Sequence, residues 1–176
     1  MKPPHDAAIE NLELLETLRD FSPVVIGTPP LGIAIDNSDI DIACSEKVTG
    51  RFSAFARQAF HGFESLSIRS MICQNSPSTL VSFQACGWDF ELFCQTGNTE
   101  RQWGVRHFRI EQRLLALRPD LRSSVVTLKE QGLKTEPAFA TLLRLSGDPY
   151  EALLALEKET DQALETLLSE RLPEQR

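Results

Sequence analysis

The chain has 176 residues, 41% hydrophobic and 24% charged, enough apolar material for one domain or a small domain with an appendage, which excludes a disordered or fibrous chain. Its formal charge of −7 argues against an extended nucleic-acid surface, because coating a polyanion requires a cationic face that releases counterions. No run approaches the roughly eighteen apolar residues of a membrane helix, and Met1–Pro4 opens into a polar helix without a signal-peptide core, so a cytoplasmic protein with no membrane segment is expected.

In chain order, Ala8, Leu12, Leu15 and Leu18 recur at helical spacing and predict a first helix over about Asp6 to Asp20. Val24-Val25-Ile26 reads as a short buried strand that ends at Gly27-Thr28 and the turn-rich Pro29-Pro30-Leu31-Gly32. Ser38 to Ala43 is a second strand. Val48, Phe52, Phe55, Ala56, Ala59, Phe60 and Phe63 keep a helical period and predict a helix with one aromatic-rich packing face between about Lys47 and Phe63.

Leu66 to Cys73, Thr79 to Cys86 and Trp88 to Cys94 follow as three strands separated by Asn75–Ser78 and Gly87. From Thr99 the pattern turns helical: Thr99 and Gln102 form a capping box, Asp120 precedes a helix closed by Gly132, Thr135 caps another, and Asp148-Pro149 opens a longer last one carrying Leu153, Leu156, Leu164 and Leu167. Pro173–Arg176 is expected to fray. Cys44, Cys73, Cys86 and Cys94 contain no Cys-x-x-Cys pair and read as reduced, buried thiols.

The charge is unevenly spread. Residues 100 to 134 carry eight Lys or Arg against four acids, whereas residues 1 to 99 carry six against twelve and residues 135 to 176 four against nine. Gln102, Arg106, Arg109 and Arg113 fall on one helical stripe, which can meet substrate phosphates or form salt bridges with the acidic C-terminal helix. His107 lies on the adjoining stripe, one turn before Glu111, and reads as a core histidine bonded to it.

Asp39-Ile40-Asp41-Ile42 carries the chemistry. On a strand, both carboxylates project to one face and both isoleucines to the other, and two like charges this close repel unless a cation offsets them. Trp88-Asp89-Phe90-Glu91-Leu92 repeats the pattern, aiming Asp89 and Glu91 together. If the two strands are neighbours, three or four carboxylates converge into an oxygen-rich site for Mg²⁺ or Mn²⁺, suited to phosphoryl or nucleotidyl transfer. The alternative is charge on solvent-facing edge strands that blunts aggregation.

Gly27-Thr28, ten intervening residues and then Asp39-Ile40-Asp41-Ile42 resembles the signature of the polymerase-beta-type nucleotidyltransferase superfamily, which ends in a later lone acid between hydrophobic residues. Phe90-Glu91-Leu92 matches that last element best and Trp88-Asp89-Phe90 competes with it. The strings GTPPLGIAIDNSDIDIAC, FELFCQ, RHFRIEQRLL and LKTEPAFATLLRLSGDPY are similar to a small uncharacterised bacterial family, a domain of unknown function.

The resemblance implies an α+β fold: a mixed β-sheet nucleotidyltransferase-like core over residues 1–97, followed by an α-helical bundle over 98–176 that packs on it and closes one side of an active cleft. It implies that Asp39 and Asp41 bind Mg²⁺ or Mn²⁺, that Glu91, with Asp89 as its competitor, completes the site and assists deprotonation of an acceptor hydroxyl, and that Gly27 and Thr28 contact a nucleoside triphosphate. Arg106 and Arg109 are the candidate phosphate ligands on the basic stripe. Thr28 stands where Ser or Gly is usual, and Pro29 and Pro30 supply no backbone N–H, which leaves the Thr28 hydroxyl and the amides of Gly27, Thr28, Leu31 and Gly32 as donors. The implied activity moves a nucleoside monophosphate from the triphosphate to a hydroxyl acceptor on a small molecule or protein. The alternative is an inactive relative that binds a nucleotide or a protein partner.

Overall fold

The computed structural model describes residues 2–172, so the expectation for Pro173–Arg176 lies outside the described residues. Five strands form one mixed sheet, and the chain divides into two compact units. One unit comprises the chain up to Pro30 together with Ser38–Val105; the other comprises Leu31–Asn37 and the chain from Arg106 onward.

The first unit begins with α1 (His5–Asn11) and α2 (Leu14–Thr17). The single helix expected over Asp6–Asp20 is broken between them, where Glu13 takes a left-handed conformation (φ 47°). The break lets Leu14 and Leu18 bury beside Ala8 and Ile9, and a short 3-10 turn over Arg19–Phe21 then brings Phe21 into the core. Side-chain burial outweighs the modest cost of one strained residue here.

The sheet runs in the order β1-β2-β5-β4-β3, from β1 (Val24–Ile26), β2 (Ile40–Ser45), β3 (Glu64–Cys73), β4 (Ser76–Ala85) and β5 (Trp88–Gln95). All neighbouring pairs are antiparallel except β2 with β5. Two-residue turns at Gln74-Asn75 and Cys86-Gly87, all four residues with positive φ, connect β3 to β4 and β4 to β5, as tight hairpins require.

Alternation along β2 and β5 gives the sheet its two characters. Ile40 and Ile42 with Phe90, Leu92 and Cys94 enter the hydrophobic core, while Asp41 and Glu91 project to the other face. Against the apolar face lies α3 (Thr49–Ala59), whose Phe52 and Ala56, with Phe60 just beyond it, join the core. Phe60, Phe83 and Phe90 stack successively with centroids 5.1 and 5.0 Å apart. Burying such a ring contributes about 1.5–3 kcal/mol.

The second unit is helical. Its helices are α4 (Trp103–Leu117), whose first turn belongs to the first unit, α5 (Leu121–Glu130), α6 (Thr135–Leu142), α7 (Pro149–Ala155) and α8 (Asp161–Arg171). Asp148 caps α7 by accepting from the amides of Tyr150 and Glu151 at 3.0 Å, as its position before Pro149 predicts. The single long last helix is in fact two, because the chain tightens over Leu156–Lys158 and Thr160 caps α8 by accepting from the Ala163 amide.

The Thr99–Gln102 capping box is also absent. The Thr99 hydroxyl donates to the Ser22 carbonyl and the Gln102 amide to the Cys44 carbonyl, both within the first unit, so each side chain is drawn to a tertiary acceptor. Gln102 Oε1 is buried without a hydrogen-bond partner. In the second unit, Arg122 Nε donates to the Leu31 carbonyl at 3.0 Å, and the buried Lys129 ammonium donates to the Ile33 carbonyl at 2.8 Å. These bonds tie the Leu31–Asn37 segment to α5.

Of the four thiols expected to be buried, Cys44 and Cys94 are, Cys73 is half-buried, and Cys86 is exposed because the hairpin turn places it there. Burial pushes the Cys44 thiol far up and the Cys94 thiol up to about 12. A thiol-reactive disulfide reagent is therefore expected to modify Cys86 in the native protein and to reach Cys44 and Cys94 at least about 10³-fold more slowly until denaturant is added. Cysteine-resolved mass spectrometry over time measures this order.

Candidate active site

The parallel pairing of β2 with β5 sets Asp41 directly opposite Glu91, with Ile40 opposite Phe90. Asp39 precedes by two residues and faces the same side. One ligand oxygen from each of Asp39, Asp41 and Glu91 lies within 4.8 Å of the others, and all three residues are half-buried. Carboxylates at this separation repel by about 1–4 kcal/mol per pair between the dielectric of water and that of a protein surface. An all-oxygen donor set of net negative charge fits a hard divalent cation, Mg²⁺ or Mn²⁺.

The glycine of the sequence motif has a defined task in this geometry. β1 runs antiparallel to β2 with Ile26 opposite Asp41, and Gly27 follows at φ +82°. A Cβ on Gly27 would fall 2.3 Å from Asp41 Oδ2, so both the left-handed backbone and the close approach of the carboxylate require glycine. The Thr28 hydroxyl donates to Ser38 Oγ at 3.1 Å, linking the turn to the residue before Asp39. The Ser38 carbonyl accepts from Lys2 Nζ at 3.2 Å, and that ammonium lies 3.4 Å from the centroid of the Trp88 ring. Sequence reasoning did not single out Lys2 or Ser38; Ser38 has only its place beside Asp39 as a signal, and Lys2 has none.

The other acidic and basic candidates are not among these three acids. Asp89 is exposed and its Oδ1 accepts from Gln84 Nε2 at 2.8 Å; it is not part of the group of three acids. Arg106 and Arg109 belong to the second unit, and the carboxylates to the first. Arg106 forks onto Glu157, with Nε 2.9 Å from Oε2 and Nη2 2.5 Å from Oε1. Arg113 reaches Asp161 Oδ1 at 2.5 Å and the Glu159 carbonyl at 2.6 Å. Two residues of the basic stripe thus meet acids of the C-terminal segment, and Arg106 can hold a phosphate only if its fork opens. Arg109 is exposed, with its guanidinium 5.9 Å from the Phe108 ring.

His107 is buried, as expected of a core histidine, but its Nε2 donates to the Tyr150 carbonyl at 2.9 Å and its Nδ1 stands 3.9 Å from Glu136, in place of the expected bond to Glu111. Glu111 Oε1 is buried without a hydrogen-bond partner. Burial pushes the Glu111 carboxyl well above the usual carboxylate range; the charge of Glu136 adds to this and Lys129 opposes it.

The model of a family described as a domain of unknown function, DUF4269, matches residues 7–156. No curated protein matches the sequence. Among solved structures, the chain is similar to the Cid1 poly(U) polymerase with MgGTP bound, at 15% identity and a TM-score of 0.54 over 84% of this chain and 46% of that one. A second Cid1 structure gives 17% identity and 0.56 over 80% and 47%. A GLD-2/RNP-8 complex gives 13% identity and 0.51 over 93% and 75%. The chain spans less than half the length of the Cid1 chains. At these identities the likeness is one of fold, and it establishes the nucleotidyltransferase-like architecture that the sequence resemblance implies. No helix among the described residues is long and apolar enough to cross a membrane.

Replacing Gly27 by Ala is expected to displace the Asp41 carboxylate and weaken Mn²⁺ binding by about 10-fold or more, measured by electron paramagnetic resonance of free Mn²⁺. The Arg106–Glu157 fork gives a pH prediction. Its hydrogen bond to Arg106 holds the Glu157 carboxyl below its ordinary value of 4.5. A depressed folded-state value contributes stability that is fully present above the unfolded value and is lost as acid is added through the folded one. Glu157→Gln is accordingly expected to cost about 0.5–1 kcal/mol in thermal melts at pH 7. The gap from the parent protein should close as the pH falls below the ordinary value.

Proposed function

This chain belongs to the DUF4269 family, and we propose that it is a metal-dependent nucleotidyltransferase that moves a nucleoside monophosphate from a nucleoside triphosphate to a hydroxyl acceptor on a small molecule or protein. The observation that carries this reading is the convergence of Asp39, Asp41 and Glu91 from two parallel neighbouring strands of a nucleotidyltransferase-like fold. Asp39, Asp41 and Glu91 would hold Mg²⁺ or Mn²⁺, which supplies charge neutralisation at the phosphates and acidifies a nearby hydroxyl.

In the transfer, the acceptor oxygen bonds to the α-phosphorus. The bond from that phosphorus to the bridging oxygen breaks, and pyrophosphate leaves with the electron pair. The acceptor's proton passes to a base, for which Glu91 is the assigned residue. Gly27 keeps the turn close to Asp41 so that its amide and that of Thr28 can face the triphosphate. The Thr28 hydroxyl holds Ser38, and through it the start of the Asp39-Ile40-Asp41 run.

A second reading, a nucleotide-binding or protein-interaction module without turnover, draws on Pro29 and Pro30, which remove two N–H groups from the turn where triphosphate oxygens would be held. Thermal shift separates the readings: stabilisation that needs divalent ion and triphosphate together supports the enzyme.

The direct test incubates the protein with each α-labelled nucleoside triphosphate, Mg²⁺ or Mn²⁺ and panels of hydroxyl-bearing acceptors. Label transfer is expected, and Asp39→Asn or Glu91→Gln should each lower it by about 10²-fold or more. Transfer that both substitutions leave unchanged would refute the assignment.

A further inference from the structure

On the first unit, α1, α2, β1 and the following turn line an open groove of about 600 Å³. Its apolar lining comes from Ile9, Leu14, Leu15, Val25 and Pro30. Leu15 is 41% exposed, one of four exposed large hydrophobic side chains in the described residues. The exposure follows from the helix break: with Glu13 in the left-handed region, α2 restarts so that Leu14 turns into the core and its neighbour Leu15 turns out.

The groove's charge is one-sided. Asp6, Glu10, Glu13 and Glu16 also line it with His5, and among the described residues no Lys or Arg does. Glu16 pairs with Arg19, which leaves Asp6, Glu10 and Glu13 as the net negative charge of the rim. The groove's volume falls within the roughly 300–1,000 Å³ of sites that accept ligand-sized groups. An apolar floor with an acidic rim is complementary to a segment carrying aliphatic side chains on one face and lysine or arginine on its flanks.

We propose that this groove docks a short cationic amphipathic segment of a protein partner, seating its aliphatic side chains against Ile9, Leu15 and Val25 and its basic flanks against Glu10 and Glu13. The groove's lining includes none of Asp39, Asp41 or Glu91, so the docking is tested apart from the proposed nucleotidyl transfer. The acidic rim accelerates encounter and makes binding sensitive to salt, while the apolar floor sets how long the segment stays.

The probe is a synthetic amphipathic peptide of about a dozen Leu and Lys residues, compared with a scrambled peptide of equal composition and with one carrying Glu for Lys. Methyl-labelled full-length protein is titrated by NMR. The expected result is saturable shifts centred on the methyls of Ile9, Leu14, Leu15 and Val25 with the first peptide only. Affinity should fall about tenfold for Leu15→Glu and again for Glu10→Lys with Glu13→Lys, and stay unchanged for Val48→Glu at another exposed hydrophobic position. Retained native methyl spectra show that the variants fold, as the exposed position of Leu15 predicts. The proposal is overturned by equal binding of the scrambled peptide, by shifts centred elsewhere, by an unaltered Leu15→Glu titration or by no saturable shift. Concentration-dependent shifts at the groove without peptide would assign it to a second copy of this chain and also overturn the proposal.

Discussion

Three negative side chains that repel one another are held together by backbone pairing. Asp41 and Glu91 face each other because β2 and β5 are hydrogen-bonded in parallel, in a register fixed by buried neighbours: Ile40 and Ile42 on one strand, Phe90 and Leu92 on the other. A slip of one residue would send the carboxylates into the ring ladder of Phe60, Phe83 and Phe90 and bring aromatic side chains to the polar face. The hydrophobic core therefore stabilises the fold and also supplies the energy that keeps like charges adjacent. A divalent cation held by these three side chains, as proposed above, would offset that repulsion.

Around this pairing the supporting contacts are small and local. Gly27 makes room for the Asp41 carboxylate by lacking a side chain, and the Thr28 hydroxyl braces Ser38. Lys2 adds a bond to the Ser38 carbonyl while resting on the Trp88 ring, so the start of the chain, the turn after β1 and the entrance to β5 converge on the residue preceding Asp39. None of these contacts is strong alone. Together they limit the freedom of the chain at the start of the Asp39–Asp41 run.

The parts of this architecture that obey local periodicity were legible in the residue order. The alternation through Asp39–Ile42 and Trp88–Leu92, the aromatic face of α3 and the proline-started α7 all depend on neighbours a few positions away. The parts that local order misplaced or left open depend on distant partners. Thr99 and Gln102 have the spacing of a capping box, but carbonyls of Ser22 and Cys44 claim them. The left-handed Glu13 is set by the burial of Leu14 and Leu18, and no residue type at that position announces it. Arg106 and Arg113 presented the same stripe whether they met phosphates or acids, and only the fold showed Glu157 and Asp161 beside them.

The chain enters its second unit early, for Leu31–Asn37, before β2 has been made, and returns to it at Arg106. Leu31 and Ile33 are buried there, and their carbonyls receive Arg122 and Lys129. Neither unit can then be inherited or exchanged as a separate cassette. A gene fusion that carried only the sheet would strip an apolar strap and two backbone acceptors of their cover. Selection on the helices is consequently also selection on the loop that leads into Asp39, and the two must diverge in step.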